Sequence, residues 1–341
     1  MAIKGVSIVI CCHNSSTRLK STLWHIAQQK IKPGIRCEIV IVDNASNDAT
    51  AIVACREWEA LNISHIDFKI VPEANPGLSY ARKKGISESS YGYLIFCDDD
   101  NWLSEYYIDT VFHFFENHPQ VAIIGGYGEA VFDNYTILPD WFHKFFKNYA
   151  LGAQSSKLNT EMGCVYGAGM AARKAIIDKD IFNAHNFLTD RQGKNLTAGG
   201  DSEICFKVKL LGYKIAYLPE LKFKHYISND RLDWEYFKKL HIGFSKSFVV
   251  LNIYEKALNS QSSTLPPFYW LKNALYYWGI YLKYWPKHFR AYSTTIGTVD
   301  EIHHITWSTI AKSYLRYNLK TKAIYREIMS LKSSSKISEQ L

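Results

Sequence analysis

What most constrains this chain is a regular alternation over its first 126 residues. Short apolar runs at residues 6–11, 38–42, 68–71, 93–97 and 121–126 take turns with stretches whose apolar residues recur at helical spacing. Leu19, Leu23, Ile26 and Ala27 form one such stripe; Tyr107, Val111, Phe114 and Phe115 form another. An apolar run of four to six residues without polar alternation reads as a strand buried on both faces. Strands alternating with helices predict a parallel sheet with right-handed crossovers. The expected fold class is therefore α/β: a mostly parallel central sheet with helices on both faces, followed by a helical C-terminal region.

The fourth run ends unusually. Tyr93-Leu94-Ile95-Phe96-Cys97 leads straight into Asp98, Asp99 and Asp100. Three adjacent carboxylates repel one another, and a divalent cation held by their oxygens relieves that repulsion. Open α/β sheets bind ligands at the carboxyl ends of their strands, which is where this run falls. The competing reading is a polar turn, with Asp98 or Asp100 capping a helix that starts near Leu103. Other candidate groups sit at expected strand or loop ends: Asp43 after the second run, then Asp201-Ser202-Glu203, then His225. No Gly-x-Gly-x-x-Gly follows the first strand, and no Gly-Lys-Ser/Thr loop or Gly-x-Ser-x-Gly elbow occurs. Those absences argue against a dinucleotide fold, a P-loop and a serine hydrolase. A metal-bridged polyphosphate site with an added carboxylate for proton transfer remains.

Beyond residue 127 the pattern loosens. An aromatic loop with short helices is expected to about residue 158, an extended stretch over 165–171, and a polar loop over 187–195. A helix from Glu203 to Leu211 ends at Gly212, and two short strands follow at 214–218 and 222–225. From about 231 the chain reads as helical and aromatic.

The 341 residues are 47% hydrophobic and 21% charged, the balance of a globular protein. Net charge is +8, and residues 251–341 hold 12 Lys/Arg against 5 Asp/Glu, so the basic character belongs to the C-terminal quarter. Seven Cys without a Cys-x-x-Cys pair point away from zinc and from a disulfide framework. Met1–Gly5 leads directly into the first strand rather than into a signal core. A cytoplasmic protein is expected, at the inner face of the plasma membrane if its C-terminal region engages lipid.

Five motifs in order carry a resemblance: Ser7-Ile8-Val9-Ile10-Cys11-Cys12-His13-Asn14, Ile41-Val42-Asp43-Asn44-Ala45-Ser46, Asn75-Pro76-Gly77-Leu78-Ser79-Tyr80-Ala81-Arg82, Phe96-Cys97-Asp98-Asp99-Asp100, and Gly199-Gly200-Asp201-Ser202-Glu203-Ile204. Over about residues 5–245 the chain resembles an inverting glycosyltransferase of family 2 with the GT-A fold, of the bacterial surface-polysaccharide type. The resemblance implies a nucleotide-diphosphate sugar as donor, a glycan or lipid-linked hydroxyl as acceptor, and a divalent cation, Mn²⁺ or Mg²⁺. Asp98-x-Asp100 resembles the family's Asp-x-Asp motif, which makes Asp100 a metal ligand. Asp98 would stand beside metal and ribose, and Asp99 is grouped with the donor site. His225 resembles a later metal-completing His, or else is a core histidine on a strand. Asp43 resembles the Asp that binds the nucleobase, or else forms an Asx turn. Asn14 would line the same pocket. Arg82 reaches base or phosphate, or is an exposed, solvated Arg. Asp201 is the expected general base and Glu203 the second candidate, although Asp201 also stands where a helix N-cap would. The family commonly has an acid just before the base, and here that position is Gly200.

The expected domains are a catalytic domain over 1–228, with a nucleotide-sugar half to about 126 and an acceptor half over 127–228, and a helical, aromatic and basic region over 229–341. Trp, Tyr and Lys in that region suit an interfacial helix and peripheral membrane association; a bundle with a solvated basic face is the alternative. Nucleic-acid binding is not signalled. Two rival functions are a nucleotidyltransferase and a catalytically silent nucleotide-sugar-binding subunit.

Overall fold

The computed structural model describes residues 3–155, 163–182, 185–188, 190, 198–292 and 297–338. Contacts divide the chain into two compact units. The first takes in residues 1–133, 146–185 and 213–227; the second takes in 134–145, 186–212 and 228–341. Parts of the loops expected to about 158 and over 187–195 lie outside the described residues.

The first unit is built on an eight-stranded sheet. Strands β1 (Ile3–Cys12), β2 (Cys37–Asn44), β3 (Asp67–Glu73) and β4 (Tyr91–Asp98) are all parallel, in the order β3-β2-β1-β4. Their crossovers carry helices α1 (Leu19–Ala27), α2 (Thr50–Leu61) and α3 (Leu78–Glu88). The period-2 geometry of the strands sorts the core into two layers. Ile8, Ile10, Ile39, Ile41 and Ile95 join one cluster with Leu19, Leu23 and Ile26 of α1, Ala54 and Trp58 of α2, and Tyr107, Val111 and Phe115 of α4 (Tyr107–Asn117). Val9 and Val42 face the other way, onto α3. A Cβ on Gly85 of α3 would collide with Val9 and come within 3.2 Å of Val42, so glycine is what lets this helix lie close on the sheet.

Three expectations change here. No helix begins near Leu103. Asn101–Leu103 is instead a short strand, β5, and α4 starts only at Tyr107. The two strands expected at 214–218 and 222–225 are one, β8 (Lys214–Tyr226), which pairs parallel with β6 (Val121–Val131). The register shifts where Gly125 and Tyr127 meet Tyr217 and Lys222, and this irregularity accommodates Pro219, which has no N–H for a ladder. The extended stretch expected over 165–171 becomes a strand only at β7 (Ala171–Arg173), antiparallel between β4 and β6. A short helix, α6 (Lys174–Ile176), follows it.

The second unit is helical: α5 (Phe142–Phe145), α7 (Gly200–Leu210), α8 (Trp234–Asn259), α9 (Tyr269–Tyr292), α10 (Val299–Tyr317) and α11 (Lys320–Ser338). Its core joins Leu210 of α7 and Val249, Val250, Ile253 and Tyr254 of α8 to Ala274, Ile310, Tyr314, Ile324 and Ile328 of the last three helices. Among the described residues no helix is long and apolar enough to cross a membrane.

Candidate active site

The strand order reverses direction between β1 and β4, and such switch points leave a crevice at the carboxyl edge. Register brings the candidate groups level there. Cys12 lies opposite Asp43 across β1 and β2, and Cys11 lies opposite Asp98 across β1 and β4. Asp43 Oδ1 is buried and has no hydrogen-bond partner among the described residues. A buried carboxylate oxygen left unsatisfied costs about 1–3 kcal/mol, so the arrangement is one that a ligand donor completes.

The Asp run does not cap a helix. Asp98 ends β4, Asp99 and Asp100 form the turn, and Asn101 opens β5. Pairing of β5 with β8 sets Asn101 opposite His225, and Tyr226 N–H donates to Asp100 O at 2.9 Å. His225 is thereby carried to the run. Its Nε2 lies 3.5 Å from Asp100 Oδ2, while Nδ1 lies 2.7 Å from Tyr149 O. A carbonyl oxygen only accepts, so Nδ1 carries a proton, and the carboxylate faces the other ring nitrogen. An imidazole fixed through its far nitrogen by a carbonyl is a common arrangement behind metal ligands. Asn101 Nδ2 holds the second Asp100 oxygen at 3.1 Å.

The three acids of the run do different things. Asp99 points back into the protein: its Oδ2 accepts from Ser15 Oγ and from Arg18 Nη2 at 2.6 Å, and Thr22 Oγ1 donates to its backbone O at 2.8 Å. Burial, helped by Asp100, pushes the Asp99 carboxyl up to about 6 against the pull of Arg18. Burial likewise holds the Cys12 and Cys97 thiols protonated, as expected of cysteines acting as small hydrophobes. Asn14, in a left-handed conformation at φ 51, ties loops together: its N–H donates to Ser46 Oγ and its Oδ1 accepts from Asn47 N–H. Asn44, which sequence reasoning passed over, does the same for the next loop, bonding Asn75 O at 2.6 Å and Gly77 N at 2.7 Å. Arg82 is not a solvated surface residue. It is 5% exposed, with its guanidinium 5.8 Å from the centre of the Phe96 ring.

Asp201 and Glu203 belong to the second unit, at the start of α7. The N-cap position is Gly199, not Asp201, and Asp201 Oδ1 accepts from Ser202 N–H at 2.7 Å. Glu203 is buried. Its oxygens accept from Phe187 N–H and Leu188 N–H, each at 2.9 Å, and from Tyr254 Oη at 2.8 Å. Lys207 Nζ lies 3.9 Å away and donates to Asn186. Burial raises the Glu203 carboxyl and lowers the Lys207 ammonium, each partly offset by the other. Glu203 thus holds the 186–188 segment against α7 and α8. Among the described residues, no group of three or more His, Cys, Asp or Glu is gathered as a ready metal cage.

These features are those of an α/β fold whose candidate groups gather at the carboxyl edge of a switch-point sheet. The family model for glycosyl transferase family 2 matches residues 7–180, and the chain belongs to that family. Membership sets aside the nucleotidyltransferase reading. Glucosyl-dolichyl phosphate glucuronosyltransferase of Haloferax volcanii is 23% identical over 282 residues, 76% of this chain and 82% of that protein. Glycosyltransferase GlyA of Streptococcus pneumoniae serotype 4 is 26% identical over 153 residues, 43% of this chain; the match spans 21% of GlyA's own length. Among solved structures, S. aureus TarS 1–349 in complex with UDP aligns with a TM-score of 0.50 at 13% identity, covering 98% of this chain and 88% of that one. That likeness supports the GT-A fold.

Proposed function

We propose that this glycosyltransferase moves a sugar, with inversion, from a nucleotide diphosphate to a hydroxyl of a glycan or lipid-linked acceptor in surface-polysaccharide synthesis. The observation that carries the reading is the buried, unsatisfied Oδ1 of Asp43, level with the acid run at the carboxyl edge. An N–H of a nucleobase is the donor that such an oxygen lacks. Asp98 lies two strands along the same edge from Asp43, on β4, and would face the ribose and diphosphate.

Asp100 and His225 fit a divalent cation, because a carboxylate and an imidazole fixed from behind converge on one place. Mg²⁺ and Mn²⁺ in such sites take one or two protein ligands and complete their shells with substrate phosphates and water. When bound, the cation neutralises charge on the diphosphate leaving group. Asp201 is the base: it takes the acceptor hydroxyl proton as that oxygen attacks the anomeric carbon from the face opposite the departing diphosphate. Glu203, with both oxygens engaged, supports α7 rather than accepting that proton.

The C-terminal helices offer the surface for peripheral membrane contact at the cytoplasmic face. Phe268, Leu275, Tyr276 and Leu282 are 62–68% exposed, and Lys272 and Lys283 are exposed with them. Helix α9 contains no Asp or Glu. Aromatic and apolar groups interleaved with Lys suit an anionic lipid interface. The domain boundaries of this reading are a catalytic domain over 1–228 and the helical region from 229.

Asp201→Asn tests the base. With a competent donor and acceptor, turnover falls about 10²–10⁴-fold while donor binding is kept. Unchanged turnover removes Asp201 from the mechanism. A wild-type chain that binds donors but never turns them over is the silent subunit instead.

A further inference from the structure

The resemblance leads one to expect an acid at position 200, next to the base, and the chain has glycine there. The surroundings of that glycine account for the exchange. A Cβ on Gly200 would meet the Asp190 carboxylate: Cγ and Oδ1 lie 2.5 Å away and Oδ2 closer still. Asp190 is 8% exposed, and its Oδ1 accepts a 2.8 Å hydrogen bond from Gly200 N–H. Gly199, the N-cap residue, has no side chain with which to cap α7. Asp190, ten residues earlier in the sequence, therefore supplies a carboxylate at the first turn of α7, in the space a side chain at 200 would take.

We infer that Asp190 is a positioning residue for Asp201: its carboxylate replaces the acid absent at 200 and fixes the helix start that carries the base. The inference rests on the reading of Asp201 as the base. The physical case is local. A carboxylate on an orphan N–H at a helix start is favourable through both the hydrogen bond and the helix dipole. Asp201 is the residue directly after the bonded amide, so the bond sets where its backbone begins. Neighbouring ties hold the same corner: Ser247 Oγ donates to Ala198 O, and Glu203 holds residues 187 and 188. The segment bearing Asp190 and the helix bearing Asp201 are thus fastened on both sides of the candidate base.

The test is a swap. Asp190→Ala lowers kcat by roughly 10²-fold, the cost of displacing a reacting group by about 1 Å, with donor KM and nucleotide binding unchanged. Asp190→Asn, which keeps an oxygen acceptor for Gly200 N–H, stays within about threefold of wild type. Gly200→Glu alone loses activity because two carboxylates then compete for one space. The double variant Asp190→Ala/Gly200→Glu, with one carboxylate restored, recovers at least tenfold over either single. A double variant no better than the singles, or an Asp190→Ala enzyme with wild-type kcat, overturns the inference. The same four proteins are compared by melting temperature, where 190 and 200 couple non-additively whatever residue is the base. If Asp201→Asn retains full turnover while that coupling is present, the base assignment fails and the 190–200 pairing stands; additive melting shifts sink the pairing itself.

Discussion

At the scale of single residues, Asp99 and Asp100 divide their work by the direction in which each is held. Asp100 faces His225, and Asp99 turns inward to Ser15 and Arg18. Removing the inward-turned Asp99 therefore has a different signature from removing Asp43, the nucleobase candidate on β2. Asp43→Ala weakens nucleotide-diphosphate binding by about 10- to 100-fold, equivalent to roughly 1–3 kcal/mol for one buried hydrogen bond, measured by calorimetric titration, and does not lower the melting temperature of the free protein, because it removes a buried oxygen that lacks a partner there. Asp99→Ala strands a partly buried guanidinium and a hydroxyl and lowers folding stability by roughly 1–3 kcal/mol, measured by denaturant unfolding without ligand. A melting temperature unaffected by Asp99→Ala contradicts its inward role.

At the scale of elements, α7 and α8 are pinned by a buried charge. Glu203→Ala takes the acceptor from two amides and a phenol and the nearby counter-charge from the Lys207 ammonium, and costs about 3–5 kcal/mol, as breaking a buried pair does. Loss of less than about 1 kcal/mol in urea unfolding contradicts this role. Helix α8 also carries His241, whose Nε2 is buried among Phe145, Phe237 and Phe244 with no hydrogen-bond partner among the described residues. Burial, with His303 adding repulsion, lowers its pKa to about 4. The folded state thus keeps His241 neutral where the unfolded chain protonates it. Its contribution is present above about pH 6.5 and is lost as pH falls toward 4. His241→Phe flattens that part of the stability–pH curve; an unaltered curve contradicts the assignment. The elements were largely legible in the sequence where the hydrophobic period was clean: β1 to β4 and their crossover helices follow from Ile/Val runs and from stripes such as Leu19-Leu23-Ile26. Strand β5 was not, because Asn101-Trp102-Leu103 is too short to show a period and exists through pairing with β8. The partners of the site residues were hidden for the same reason. Asp100 meets His225, and Gly200 meets Asp190, only through tertiary contact, so no local spacing announces either pair.

At the scale of the whole molecule, the C-terminal helices share a core with α8 and α7, so deleting them strips Val249, Ile253 and Tyr254 of their cover. Surface substitution is the cleaner probe. Leu275→Gln with Leu282→Gln reduces sedimentation with anionic vesicles and leaves the melting temperature unchanged, since both side chains are exposed. Undiminished sedimentation contradicts lipid contact through α9. The central claim concerns the carboxyl edge of the sheet as a metal-assisted nucleotide-sugar site. Its most direct test is the thermal shift of the full chain across nucleotide-diphosphate sugars with Mn²⁺, repeated in EDTA and with Asp100→Ala. Binding to the native state at about 100 Kd adds about 2.7 kcal/mol of stability. The account predicts a clear rise in melting temperature for at least one donor, lost in EDTA and in Asp100→Ala. An equal rise under all three conditions contradicts it.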